Sequence, residues 1–187
     1  MAATSAKPSA PRRSGRAKAN EQAVTSYFAA VAARDADGMA EHWHPEGVDD
    51  LVPVGVMRGP DGVRAFFSEL FRAVPDAALV VEKMVVDTQG AAVQWRMRGT
   101  FDGAPFLGID PTGRKLDLRG CDVLELDDDG KLTRNVAHYD GAAFARQIGM
   151  LPSEDSGADR AMRAGFNAVT RLRAAVDRRT RGGTTTP

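Results

Sequence analysis

The 187-residue chain is short of the residues that build disulfide frameworks and metal centres. It contains one cysteine, Cys121, so it cannot form an intramolecular disulfide, and it contains three histidines. No apolar run approaches the roughly 20 residues that a membrane-spanning helix needs. The sequence therefore predicts a soluble, reduced, cytoplasmic protein with no membrane span.

Several catalytic signatures are also missing. The sequence has no phosphate-binding loop, no glycine-rich dinucleotide turn after a strand and no nucleophile elbow. His42 and His44 stand close to Asp49 and Asp50, but their spacing matches no established metal motif. We therefore predict neither a metal nor a cofactor.

The net charge is zero, but the charges are unevenly distributed. Residues 1–18 hold five basic and no acidic side chains, and the stretch after Ser156 is rich in arginine. Neither end has the interleaved aromatics of nucleic-acid-binding modules, so no specific nucleic-acid partner is predicted. Residues 1–18 are too poor in aliphatics to repay the entropy of ordering, which predicts a disordered basic tail.

The chain from 19 to 151 is patterned as one folded domain, with helices first and strands afterwards. Helices before an antiparallel meander predict an α+β fold. Trp43 is expected to anchor the second helix in the core. The predicted elements are a helix from Glu21 to the breaker at 35–38, a helix over 37–43, a helix after the turn at 59–62, and strands over 78–87, 91–99, 114–126 and 131–140.

Beyond the strands the pattern returns to helix. Residues 142–148 suit one short helix, and Pro152 begins a linker. We therefore interpret 152–187 as a linker and an amphipathic helix with a disordered end. The apolar stripe of that helix comprises Met162, Phe166, Val169, Leu172 and Val176.

Strand parity singles out three polar residues, because residues two apart lie on one face of a sheet. Leu132 and Val136 mark the apolar face of the last predicted strand. His138 and Asp140 share their parity, so both are predicted to point inward. On the preceding strand Asp122 shares the parity of the leucines, provided that no bulge intervenes.

An inward aspartate suits proton transfer. An apolar cavity disfavours the charged carboxylate, which raises its pKa toward neutrality, and a nearby imidazole can orient it. Asp140 and His138 are therefore the candidate acid/base pair. Two plainer interpretations stay open: Asp140 caps the following helix, and Asp122 forms a buried ion pair with a neighbouring arginine.

Over residues 21–151 the chain resembles the SnoaL-like polyketide cyclases of the nuclear transport factor 2-like superfamily. The resemblance implies three N-terminal helices packed on a curved, mostly antiparallel sheet. The segments that carry it are GPDGVRAFF at 59–67, GTFDG at 99–103, FLGIDPTGR at 106–114, LRGCD at 118–122, YD at 139–140 and QIGMLP at 147–152.

The resemblance also implies a function. Such cyclases close a ring in a small hydrophobic polyketide ester by an intramolecular aldol reaction, without cofactor or metal. By motif position the catalytic aspartate is Asp140, assisted by His138, and a homodimer is expected. We expect substrate contacts from Asp122, Trp43, Phe67 and Phe106.

Other functions occur on the same fold, because fold alone does not fix chemistry. An isomerase of the ketosteroid type would use the same kind of carboxylate. An epoxide hydrolase would require an Asp–Arg pair, for which Asp122 with Arg96 or Arg98 is the candidate. A binding or dimerising module would keep these polar groups for structure alone.

Overall fold

The computed structural model describes residues 10–182, and side chains within 15–178. The predicted disorder at 1–9 and 183–187 lies outside the described residues. The elements are helices α1 (Ala10–Ala33) and α2 (Ala36–Glu41), strands β1 (Trp43–Val52) and β2 (Gly55–Arg58), helix α3 (Gly59–Ala73), strands β3 (Ala78–Val86), β4 (Gly90–Phe101), β5 (Arg114–Leu126) and β6 (Leu132–Tyr139), and helices α4 (Gly141–Ile148) and α5 (Gly157–Gly182).

The six strands form one sheet in the order β2-β1-β6-β5-β4-β3. Only β1 and β6 run parallel, and the other neighbours are antiparallel. Helices α1 and α3 pack on the inner face of the sheet, α2 packs against both of them, and α5 follows as a C-terminal extension. The predicted α+β fold, with three N-terminal helices on a mostly antiparallel sheet, is confirmed.

The structure adds two strands to the four predicted. The stretch at 48–57, which none of the predicted elements covers, supplies most of a hairpin in which Val48 pairs with Arg58 and Leu51 with Gly55. Trp43 opens β1 and pairs with Leu132 of β6, so its predicted place in the second helix is wrong. Pairing with β6 overrides the weak helical pattern at Trp43.

Helix α1 begins at Ala10, inside the predicted disordered tail. Residues 10–18, which the sequence assigns to a disordered tail, are helical in this structure, and Arg16 contacts the turn between β5 and β6. Its guanidinium donates to the carbonyl oxygens of Leu126 and Asp127, to Asn20 at 3.1 Å, and pairs with Asp128. Hydrogen bonds from a charged guanidinium are stronger than neutral ones, so they can hold this part of the helix where few aliphatic side chains are buried.

A bulge interrupts the pairing of β5 with β6. Glu125 pairs with Arg134, but Leu126 pairs with Leu132, so Thr133 is an extra residue on β6. The Thr133 hydroxyl donates to the Glu125 carbonyl oxygen at 3.3 Å. One inserted residue exchanges the two faces of the strand beyond it.

The bulge changes which side chains of β6 enter the core. Asn135 and Ala137 are buried and Tyr139 is half-buried, whereas His138 is exposed on the outer face. The prediction that His138 points inward is therefore wrong. The prediction assumes that alternate residues after Leu132 stay on the inner face, and the sequence does not reveal the bulge that exchanges the faces.

The Arg16 contacts predict a measurable stability. We expect Arg16→Gln to lower the free energy of unfolding by about 1–2 kcal/mol, because hydrogen bonds from a charged donor are lost at a half-buried position. Urea unfolding measures the change. Arg98→Gln, which removes an exposed ion pair with Asp117, is the control and is expected to change stability by less than about 0.5 kcal/mol. Equal losses in the two variants would contradict the role given to Arg16.

Candidate functional site

A cavity of about 100 Å³ lies between the helices and the inner face of the sheet. Helix α3 contributes the neighbouring rings of Phe66 and Phe67, and Phe66 packs edge-on against Phe106 at 5.5 Å. Helix α4 contributes Phe144. Engineered cavities of about 150 Å³ bind benzene, so this volume suits a ligand body no larger than one small ring. Six phenylalanines line the cavity: Phe28, Phe66, Phe67, Phe101, Phe106 and Phe144.

Few polar side chains line this apolar space. Tyr27 comes from α1, Asp122 from β5 and Asn135 from β6, and each is at least nine-tenths buried. Trp95 of β4 donates its indole N–H to Asp122 Oδ1 at 2.7 Å. The alternation of β4 and β5 brings this pair together, because the opposed residues Val93 and Asp122 share the inner face.

A second carboxyl group, Asp49 of β1, lies behind the cavity wall and is fully buried. Asn135 joins the two acids, because its Nδ2 donates to Asp49 Oδ1 at 2.9 Å and makes a longer contact of 3.4 Å with Asp122 Oδ2. Within the described side chains, Asp49 Oδ2 and Asn135 Oδ1 have no hydrogen-bond partner. We call Asp49, Asn135 and Asp122 the carboxyl–amide chain.

Burial is the main cause of the shifted pKa values in the carboxyl–amide chain. It raises the pKa of Asp49 to about 7, with a further contribution from the negative charge of Asp122 and an opposing one from Asn135. It raises the pKa of Asp122 to about 6, against the stabilising hydrogen bonds from Trp95 and Asn135. Near neutral pH the two groups therefore titrate as an interacting pair.

Tyr27 is affected by the same surroundings. Burial raises the pKa of its phenol well above the usual value, and the nearby Asp49 and Asp122 raise it further. The hydroxyl therefore keeps its proton at physiological pH. It is a hydrogen-bond donor held within the electrostatic field of two acids.

The structure does not bring the predicted acid/base pair to the cavity. Asp140 is exposed and caps α4, accepting a hydrogen bond from the Ala143 backbone N–H at 2.9 Å. His138 lies on the outer face, opposite Cys121. The inward orientation predicted for both is wrong, and the capping interpretation of Asp140 describes its contact.

The predicted substrate-contacting residues divide three to one. Asp122, Phe67 and Phe106 line the cavity, whereas Trp43 is buried beside Tyr27, with ring centroids 6.2 Å apart. Asp122 hydrogen-bonds to Trp95 and Asn135, so the open interpretation as an ion pair with a neighbouring arginine is not what the structure shows.

The Asp–Arg pair required for epoxide hydrolysis is likewise not formed. Arg96 and Arg98 both bind Asp117 on the outer face of the sheet. These arginines lie across the sheet from Asp122, which faces inward. No group of three or more histidine, cysteine or acidic side chains within the described residues converges as a metal site.

Sequence reasoning missed three members of the site. Tyr27 sits in the apolar stripe of α1, where its spacing marks it as core. Asp49 falls in a stretch with Pro53 and Gly55, which hides its strand. Regular alternation from Leu132 places Asn135 on the outer face, and nothing in the sequence marks the bulge that turns it inward.

A sequence model of the SnoaL-like polyketide cyclase family matches residues 21–148. This match spans α1 to α4 and includes every residue of the cavity. The chain belongs to the SnoaL-like polyketide cyclase family. No curated protein sequence matches it.

Solved structures of this SnoaL-like fold resemble the chain closely in shape and weakly in sequence. The protein from Jannaschia sp. CCS1 described as a SnoaL-like polyketide cyclase is 24% identical, with a TM-score of 0.65, over 79% of this chain and all of its own. AclR from Streptomyces galilaeus is 20% identical, with a TM-score of 0.64, over 88% and 98%. TsrD from Streptomyces laurentii is 25% identical, with a TM-score of 0.62, over 72% and 97%.

The raised pKa values predict how stability depends on pH. Asp49 and Asp122 bind protons more tightly when folded than when unfolded, so the folded state loses stability as pH rises from the ordinary aspartate pKa near 4 to their raised pKa values of about 6 and about 7. We expect the free energy of unfolding to fall between about pH 4 and about pH 7 and to level off above that, and Asp49→Asn to flatten the slope. Chemical denaturation across this range measures it. Asp140→Asn, which keeps a capping side chain, should retain the wild-type slope, and a flat wild-type profile would contradict the assignment.

Proposed function

We propose that this SnoaL-like chain is a cofactor-independent acid/base enzyme, in which Asp122 removes a proton from the carbon next to a carbonyl group. One observation carries the proposal: an ionisable carboxyl group, 7% exposed, lines a cavity whose walls are mostly apolar. An aspartate in water is too weak a base for such carbon acids, and burial strengthens it. Its conjugate acid then returns the proton to the product.

The surrounding donors give Asp122 a defined orientation. Trp95 fixes one carboxylate oxygen at 2.7 Å, and Asn135 approaches the other at 3.4 Å. The weaker contact leaves Oδ2 as the oxygen with spare lone-pair capacity for the substrate proton. A base held in this way loses little orientational freedom during the reaction.

Tyr27 is the proposed donor to the enolate oxygen. It lies at the same cavity, and its phenol keeps its proton because burial and two neighbouring acids oppose ionisation. A fixed donor aimed at developing negative charge lowers the barrier more in an apolar cavity than it would in water.

Asp49 controls the charge behind the site. While it is protonated, only one negative charge stands near the reacting oxygen, but its ionisation would place a second negative charge there and oppose the enolate. Asn135 donates to Asp49 Oδ1 at 2.9 Å and holds it in place. Asp49 is thus a positioning residue whose neutral form favours the reaction.

The cavity size narrows the substrate. Ligand pockets commonly enclose about 300–1,000 Å³, whereas this cavity holds about 100 Å³. A one-ring ketone or ester fits with little rearrangement. A larger polyketide ester would require Phe66, Phe67 and Phe106 to rotate outward. The homodimer expected from the family resemblance stays a prediction.

The direct test follows proton exchange rather than a particular product. We expect the protein to catalyse deuterium incorporation next to the carbonyl of cyclic ketones and β-keto esters in heavy water, read by proton NMR. Asp122→Asn should slow this exchange by about a hundredfold to ten-thousandfold, because the base is lost. Asp140→Asn should leave it unchanged. If the compounds bind but neither protein exchanges a proton, the domain is a binding module and the proposal fails.

The carboxyl–amide chain also predicts the pH dependence of exchange. Activity should rise as Asp122 loses its proton at about pH 6 and fall as Asp49 ionises at about pH 7, which gives a narrow bell for the pair. Rates measured across buffers of equal ionic strength test this. Asp49→Asn should remove the falling limb and keep the rising one. A falling limb that survives in Asp49→Asn would contradict the role of Asp49.

A further inference from the structure

Helix α5 carries large apolar side chains into solvent. Met162 is 44% exposed, Phe166 72%, Val169 48% and Leu172 67%. They recur every three or four residues and form one stripe along the helix, which we call the α5 stripe. Contiguous exposed apolar surface of this kind marks an interaction site rather than ordinary surface.

The first turn of α5 makes its polar contacts with residues that are close to it in the sequence. Asp159 is 4% exposed, accepts a hydrogen bond from the Asp155 backbone N–H at 3.1 Å and pairs with Arg163 at 2.8 Å. The helix then continues with almost every side chain from 160 to 173 exposed. An isolated helix is marginally stable in water, so a surface that covers the α5 stripe would stabilise the helix.

Charge identifies the kind of surface. Residues 157–182 contain seven arginines and two aspartates, a difference of five positive charges. Arg160, Arg171 and Arg178 lie about 160–180° around the helix from Met162, given 3.6 residues per turn. An apolar stripe backed by arginines is the pattern of a helix that lies in the plane of a membrane surface. It does not need to span the bilayer, and none of the helices within 10–182 is long and apolar enough to do so.

We propose that α5 binds the surface of an anionic lipid bilayer, with the α5 stripe at the boundary of the acyl chains. Its arginines attract the acidic headgroups, and Phe166 and Leu172 supply most of the apolar anchor. The two contributions reinforce each other, since neither a single apolar stripe nor a modest positive charge alone gives firm attachment.

Pairing of α5 with a second copy is the rival explanation. Arg173 follows Phe166 by seven residues and Val169 by four, so it lies within the α5 stripe. Self-pairing would bury this arginine against a like-charged helix, at a cost in desolvation and repulsion. At a bilayer the same side chain can extend to the headgroup phosphates while its methylenes stay in the apolar layer.

Membrane attachment would place the cavity near its apolar ligands. Helix α4 ends at Ile148 and α5 begins at Gly157, so eight residues separate them. Phe144 of α4 lines the cavity. The attachment itself does not depend on the chemistry proposed for Asp122, and it can be tested without any substrate.

Vesicle flotation with the full chain tests the proposal. We expect the protein to float with vesicles of phosphatidylglycerol and phosphatidylcholine, to bind pure phosphatidylcholine vesicles at least about tenfold more weakly, and to be released by salt. The double change Phe166→Ala with Leu172→Ala should weaken binding to the anionic vesicles by about tenfold or more. Circular dichroism and thermal unfolding of the domain should stay unchanged.

The matched control is Val123→Ala, which removes an apolar side chain that is 50% exposed on the sheet instead of on α5. It should float as the wild type does. Three results would overturn the proposal: no flotation with anionic vesicles at low salt, equal binding by the double variant and the wild type, or light scattering that shows a dimer broken by the double variant in the absence of lipid.

Discussion

One inserted residue in β6 determines what the cavity contains. The bulge at Thr133 turns Asn135 inward and His138 outward. Without it the strand would present Arg134 and Val136 to the core, and no amide would stand between the two buried acids. The hydrogen bond from Asn135 to Asp49, and through it the shared titration of the site, depends on this local irregularity.

The carboxyl–amide chain lowers the stability of the folded state. Two buried acids resist ionisation, and within the described side chains a buried carboxyl oxygen without a hydrogen-bond partner adds to the cost. Partial protonation removes much of this unfavourable free energy, and the protein becomes less stable at higher pH, where both acids ionise. Sites that retain such groups commonly use them, because a carboxyl group whose pKa is near neutrality can both accept and return a proton.

The sequence allowed the fold to be predicted better than the site. Helices α1 and α3 and strands β3 to β6 follow from regular apolar spacing, and Asp122, Phe67 and Phe106, which the sequence predicts to contact a substrate, line the cavity. The errors share one cause. His138 and Asp140 were placed by extending strand parity through a bulge and into a helix cap, which are features of backbone pairing that side-chain patterns do not encode.

Other residues escaped prediction because their role exists only in three dimensions. Asp49 and Asn135 are 86 positions apart and meet because β1 and β6 run parallel side by side. Tyr27 shares the helical spacing of its apolar neighbours, so only its position above the sheet distinguishes it. In the same way, Arg16 contacts the turn after β5, more than a hundred residues away in the sequence.

The account depends on two carboxyl groups that titrate near neutral pH inside the cavity. Carbon-13 NMR of protein labelled at the aspartate side-chain carboxyl measures this directly, with Asp49→Asn and Asp122→Asn assigning the two signals. We predict that both signals shift between about pH 5 and about pH 8, and that removing either acid changes the midpoint of the other. If every aspartate carboxyl has finished titrating by about pH 5, as it would in water, the carboxyl–amide chain cannot act as the proton-transfer centre.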